Sequence, residues 1–124
     1  MKQIELKMDR MVQEWASKQR SYVSCFPAEC GHHFYHRSIR LLRWDLLNII
    51  PLTFDEHQRH HAGLLDIEIQ NPFRAKYLQE KAQKNLKDHL LENGLTEDEW
   101  LKKCYLKLEQ KNDEAAKIIP STFI

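Results

Sequence analysis

Six of the seven histidines crowd into one stretch, His32, His33, His36, His57, His60 and His61, and this crowding constrains the fold more than any other feature. Core packing does not ask for it. Neutral imidazole is the commonest side chain for holding a transition metal and the best general base near neutral pH. The order is specific: a His32-His33 pair, Asn48 fifteen positions after His33, then His57-x3-His61 starting nine positions after Asn48. Histidines at i and i+4 share a helix face, so His57 and His61 can reach one point if residues 53–61 are helical. A third imidazole must come from another element. Adjacent strand residues point to opposite faces, so only one of His32 and His33 can aim at that point. The other is then free to act on something beside it.

With 124 residues the chain suits one domain with a modest core. Glycine and proline are few, and disorder is not expected. No apolar run approaches the ~20 residues that cross a bilayer, and MKQIELKMDRMVQEW lacks the apolar centre of a signal peptide, so a cytoplasmic location without membrane contact is expected. A net charge of +1 counts against a protein that coats nucleic acid nonspecifically. The stretch from His36 to Arg43 nevertheless carries Arg37, Arg40 and Arg43 without an acid. Three cysteines, Cys25, Cys30 and Cys104, leave one over and do not suggest a disulfide framework.

Apolar residues Ile4, Met8, Met11, Val12 and Trp15 predict an amphipathic helix over 3–18. Residues 20–31 read as a loop, and HHFYHRS over 32–38 as a short strand. A second strand follows at 48–52, where Pro51 implies an edge or a strand end. Thr53 with Glu56 is a capping box that opens a short helix to His61, stopped by Ala62-Gly63. Residues 64–69 are ambiguous between strand and loop. Phe73 to Leu91 reads as one helix closed by Asn93-Gly94, and Thr96 with Glu99 caps a last helix over 97–111. The fold class is therefore α+β: a small ββα core (25–66) between an N-terminal helix and loop (1–24) and a C-terminal helical pair with its tail (67–124).

Three neutral imidazoles on one divalent ion leave coordination positions open, as catalysis requires and a closed structural site does not. In phosphodiester hydrolysis the ion stabilises charge on the phosphate and leaving oxygen, while an unligated histidine takes the proton of the attacking water. Asn48 can hold that base by hydrogen-bonding to its ring or its backbone.

His32-His33-Phe34, Trp44-Asp45-x2-Asn48-Ile49-x2-Leu52 and His57-x3-His61 together resemble the HNH (ββα-metal) endonuclease motif, over residues 29–63. A looser likeness, to about residue 110, is to the NinG/Rap-type recombination endonucleases of lambdoid phages. It is carried by Gly31-His32, Leu42-Arg43-Trp44, Asn48-Ile49, Ala62-Gly63 and the Leu95-Thr96-Glu97-Asp98-Glu99 cap. The resemblance implies a single HNH nuclease domain, encoded by a phage or prophage and working in the host cytoplasm. It would cut DNA, including branched intermediates and single-stranded/duplex junctions, with one divalent ion (Mg, Mn, Ni or Zn). His32, His57 and His61 would be the metal ligands, His33 the general base and Asn48 its orienting residue. Some family members have one histidine after the glycine, so His32 and His33 could exchange roles. Arg37, Arg40 and Arg43 are expected to meet phosphates.

The chain departs from the family where many members carry a zinc knuckle: Thr53 and Glu56 stand at two of its cysteine positions. Cys25 and Cys30 could otherwise take zinc with His36, though C-x4-C is a loose pair. Alternative functions are a noncatalytic metal-stabilised DNA-binding or adaptor module, and a packaging, restriction or homing-type HNH nuclease. His36 and His60 are not expected as ligands, His89 reads as a surface residue, and Trp44 as a core anchor or a stacking platform. The apolar stripes of helices 3–18 and 97–111 offer a homodimer interface.

Overall fold

The computed structural model describes residues 2–122, with side chains described through residue 117. In chain order it contains α1 (Gln3–Ser17), β1 (Cys30–His33), α2 (Arg40–Arg43), β2 (Ile49–Leu52), α3 (Phe54–His61), α4 (Pro72–Ala82), α5 (Leu86–Asn93) and α6 (Glu97–Thr122). A 3-10 turn, Leu46–Asn48, leads into β2. The class is α+β, and β1, β2 and α3 form the ββα unit. No helix among the described residues is long and apolar enough to cross a membrane.

The two strands pair antiparallel with Cys30 opposite Leu52, Gly31 opposite Pro51, His32 opposite Ile50 and His33 opposite Ile49. Alternation divides the hairpin. Cys30, Ile50 and Leu52 form a small apolar cluster with Ile67. Ile49, on the other face, joins the main core of α1 and α6 with Met8, Val12, Leu101 and Leu108. The stripes of α1 and α6 are thus buried against each other, and Asn112 donates to the Met11 and Leu108 carbonyls at 3.1 Å. A homodimer would need a different surface.

β1 crosses α1 at Gly31. Gln13 accepts from the Gly31 N–H at 2.8 Å and donates to its carbonyl at 3.0 Å. A Cβ there would fall 2.7 Å from Ile49 Cγ2 and 2.9 Å from Ala16 Cβ. Gly31→Ala is therefore expected to cost about 1–3 kcal/mol through overpacking, read as a lower urea midpoint.

Sequence and structure differ in three elements. The first strand starts at Cys30 and ends at His33 instead of running over 32–38. Its ladder stops because the Asn48 side chain, not a strand backbone, pairs with Tyr35: Oδ1 accepts from Tyr35 N–H at 2.8 Å and Nδ2 donates to its carbonyl at 3.0 Å. The single helix expected over 73–91 is two helices, so the C-terminal pair is a trio. Asn85 breaks it by accepting from the N–H groups of Lys87 and Asp88, an N-cap inside an apolar pattern that hides it. The last helix runs beyond residue 111, to Thr122. Residues 64–69 belong to no strand. They form an irregular strap whose Ile67 is buried, latched by Tyr22, whose hydroxyl donates to the Glu68 carbonyl and accepts from Gln70 N–H, both at 2.9 Å.

Four carboxylates brace these elements. Arg40 binds Glu5, Arg43 binds Asp9, Lys81 binds Asp45, and Ser21 donates to Glu56. Burial alone would raise each carboxyl, but these donors outweigh it, and all four are held below the ordinary carboxylate range. A depressed folded-state pKa contributes stability above the unfolded value that is lost as pH falls through the folded one. Melting temperature without added metal is therefore expected to fall progressively once pH drops below about 4 on account of these carboxylates, after an earlier decline from about 6.5, where the unfolded chain takes up protons that the buried His32 ring resists.

Candidate metal centre

His32, His57 and His61 converge. Each offers one imidazole nitrogen, and these atoms all lie within 4.8 Å of one another. The helix brings two of them: α3 begins at Thr53, whose hydroxyl accepts from Glu56 N–H at 3.2 Å while Glu56 accepts from Thr53 N–H at 2.8 Å. One turn of regular helix then sets His57 and His61 side by side, with their Nε2 atoms 3.0 Å apart. The hairpin brings the third, since His32 lies on the sheet face that α3 covers. Its ring centroid is 5.2 Å from that of His57 and 5.8 Å from that of His61.

The donor set fits a metal ion. Metal–imidazole bonds of about 2.0–2.1 Å put neighbouring nitrogens of a tetrahedral site ~3.3 Å apart, so small ring rotations would bring this cluster onto a cation. Burial, and then the neighbouring rings of His60, His57 and His61, push His32 down to about 4. Burial and His61 also lower His57. Both rings are neutral at pH 7, with lone pairs to donate. His61 is exposed, which leaves the cluster accessible from one side. Three nitrogens with no thiolate or carboxylate suit a borderline divalent ion such as zinc or nickel more than calcium.

His33 stands apart from the cluster. Its Nε2 lies 2.9 Å from the Arg43 carbonyl, which can only accept, so Nε2 carries the proton and Nδ1 keeps a lone pair. Burial lowers its pKa, with the Arg43 carbonyl opposing, so this ring is also neutral near pH 7. Asn48 is fully buried, and its side-chain hydrogen bonds go to Tyr35 and Leu42, not to the His33 ring. Besides Tyr35 it donates to the Leu42 carbonyl at 3.2 Å, one residue from the carbonyl that holds His33. Asn48 therefore acts on the backbone that frames the His33 ring.

The three arginines separate. Arg43 is buried, with Nε and Nη2 on the two Asp9 carboxylate oxygens at 3.0 and 2.6 Å. Arg40 is half-buried and bridges Glu5 and Glu97. Arg43 is thus committed to α1, and Arg40 to both α1 and α6. Arg37 is exposed and forms no ion pair among the described residues, so the expectation of phosphate contact rests on it. Trp44 is a core anchor: it is 5% exposed and donates through Nε1 to Asp9 at 2.9 Å.

Cys25 and Cys30 join no metal-holding group among the described residues. Cys25 is exposed, and the Cys30 thiol points at the Leu52 carbonyl. Where the knuckle cysteines would stand, Thr53 and Glu56 form their capping box, and the Ser21–Glu56 bond ties loop 20–29 to α3. His36 is exposed and engages Ser38. Sequence reasoning could not supply the Arg43 carbonyl, because any residue offers the same atom. It also missed the His60 ring beside His32, whose one signal was its place next to His61. No family model, curated protein or solved structure matches this chain.

Proposed function

We propose that this protein is a metal-dependent endonuclease that hydrolyses phosphodiester bonds in DNA. The observation that carries this reading is the division between two neighbouring histidines. His32 joins His57 and His61 at one point, while His33 faces the other way with Nε2–H tied to a backbone carbonyl and no hydrogen bond to Nδ1 among the described residues. A scaffold that merely bound a metal for stability has no use for the second, separately held ring.

His32, His57 and His61 would hold the ion, which when bound supplies Lewis-acid stabilisation of charge on the phosphate. The chain's residues do the rest. His33 Nδ1 takes the proton from the attacking water, and the Arg43 carbonyl keeps the imidazole in the required tautomer and steadies the imidazolium that forms. The buried Asn48 holds the Leu42–Arg43 segment in register with Tyr35, so that carbonyl stays in place. Arg37, exposed among the described residues, would meet a backbone phosphate. The likeness to NinG/Rap-type enzymes makes branched recombination intermediates the favoured substrate.

The test is conversion of supercoiled plasmid to nicked and linear forms with Mg²⁺, Mn²⁺, Ni²⁺ or Zn²⁺, followed by linear, nicked, forked and four-way substrates. Cleavage with at least one ion, abolished by chelator and by His57→Ala with His61→Ala, is expected. A wild-type protein that cuts no form of DNA with any ion overturns the reading in favour of a noncatalytic DNA-binding or adaptor module.

A further inference from the structure

His60 stands outside the three-nitrogen cluster, yet its ring lies nearer to His32 than either of the other two rings. The centroids are 4.6 Å apart, with the planes edge-to-face at 69°. The His60 ring is itself held: Nδ1 is 2.8 Å from the Leu65 carbonyl, which can only accept, so the proton is on Nδ1. Leu65 opens the strap whose Ile67 is buried against Ile50 and Leu52 and whose far end Tyr22 latches. Through the strap, the orientation of His60 is anchored in the small core under the hairpin.

His32 differs from the other rings of the site. The Arg43 carbonyl holds His33, and His57 and His61 hold each other. No hydrogen bond reaches the His32 ring among the described residues. Metal-binding histidines ordinarily donate their second nitrogen to a carbonyl or carboxylate, which fixes ring rotation. Without such a partner, rotation about the broad χ2 torsion must be limited by packing.

We propose that His60 is the positioning residue for His32: its ring packs edge-to-face against His32 and sets the rotation that aims a nitrogen at the point shared with His57 and His61, while the Leu65 hydrogen bond ties the same residue to the strap. The proposal rests on the metal-centre reading above and concerns the affinity and geometry of that centre.

Two full-length variants separate the ring from the hydrogen bond. His60→Phe keeps a ring and loses the donor. His60→Asn keeps a donor at the position of Nδ1, within reach of Leu65, and loses the ring. Zn²⁺ affinity is measured by competition with a chromophoric chelator, and site geometry by the visible spectrum of the Co²⁺ form, after the melting curve of each protein without added metal. His60→Asn is expected to weaken Zn²⁺ binding about 10-fold or more and to change the Co²⁺ bands, while His60→Phe stays within about threefold of wild type. Wild-type affinity in His60→Asn overturns the proposal. So do equal losses in both variants or loss of the fold in both, because His60 would then serve only the strap. A wild-type chain that binds neither ion overturns the metal reading itself, a result distinct from these.

Discussion

Replacing His33 by alanine is expected to lower the rate of DNA cleavage by about 10²–10⁴-fold, the usual contribution of a positioned general base, while metal affinity stays at the wild-type value. His32→Ala is expected to do the reverse first, weakening metal binding and losing cleavage as a consequence. The contrast follows from the hairpin. Adjacent residues of β1 point to opposite faces. His32 lies against α3 with the other two ligand rings, whereas His33 is pinned through Nε2 to the Arg43 carbonyl at 2.9 Å. The measurement is single-turnover cleavage beside chelator competition for both variants. If His33→Ala loses the metal and His32→Ala keeps it, the two rings have exchanged the roles assigned above. If His33→Ala cuts as fast as wild type, the base is another group.

Asn48 should give the largest stability effect of any polar residue at the site. It has no exposed surface and makes three hydrogen bonds, one from Tyr35 N–H and two to the carbonyls of Tyr35 and Leu42. Asn48→Ala leaves the Tyr35 N–H and carbonyl unmet, while the Leu42 carbonyl still accepts from Asp45 N–H, at roughly 1–3 kcal/mol for each group that water cannot reach. A total near 3–5 kcal/mol would consume much of a small domain's stability of about 5–15 kcal/mol. Asn48→Asp should be worse than alanine at neutral pH. It can still accept from Tyr35 N–H, but its second oxygen would face two carbonyls where a donor is needed, and a buried carboxylate carries a desolvation cost besides. Chemical denaturation of the three proteins at pH 7 tests the order wild type, alanine, aspartate. A tolerated aspartate would mean that this amide does not brace the base in the way described.

The metal-centre elements were the most legible because their signals are local. The capping box of Thr53 and Glu56, and one helical turn between His57 and His61, are set by spacing and hydrogen bonds within a few residues. The alternation of His32 and His33 is likewise a property of a single strand. The break between α4 and α5 was not legible. The leucines on either side keep a helical period while Asn85 caps in the middle, and a capping side chain competes with the helix only when the chain can turn there. The arginines misled for a related reason. Charge without a nearby acid in sequence looks free, yet Arg43 and Arg40 find Asp9 and Glu5 on α1, far away along the chain.

What the sequence by itself determined was the list of chemically capable residues and their periodicities: which two imidazoles share a helix face, and that only one of two strand neighbours can join them. The tertiary structure alone decided which neighbour that is. The hairpin register places His32 opposite Ile50 on the face packed with Cys30, Leu52 and Ile67, and leaves His33 opposite Ile49, whose face α1 covers. It also decided what holds the His33 ring, since a backbone carbonyl carries no mark of its residue. Local periodicity is written in neighbouring side chains, whereas the choice of face and acceptor depends on contacts between segments distant in the chain.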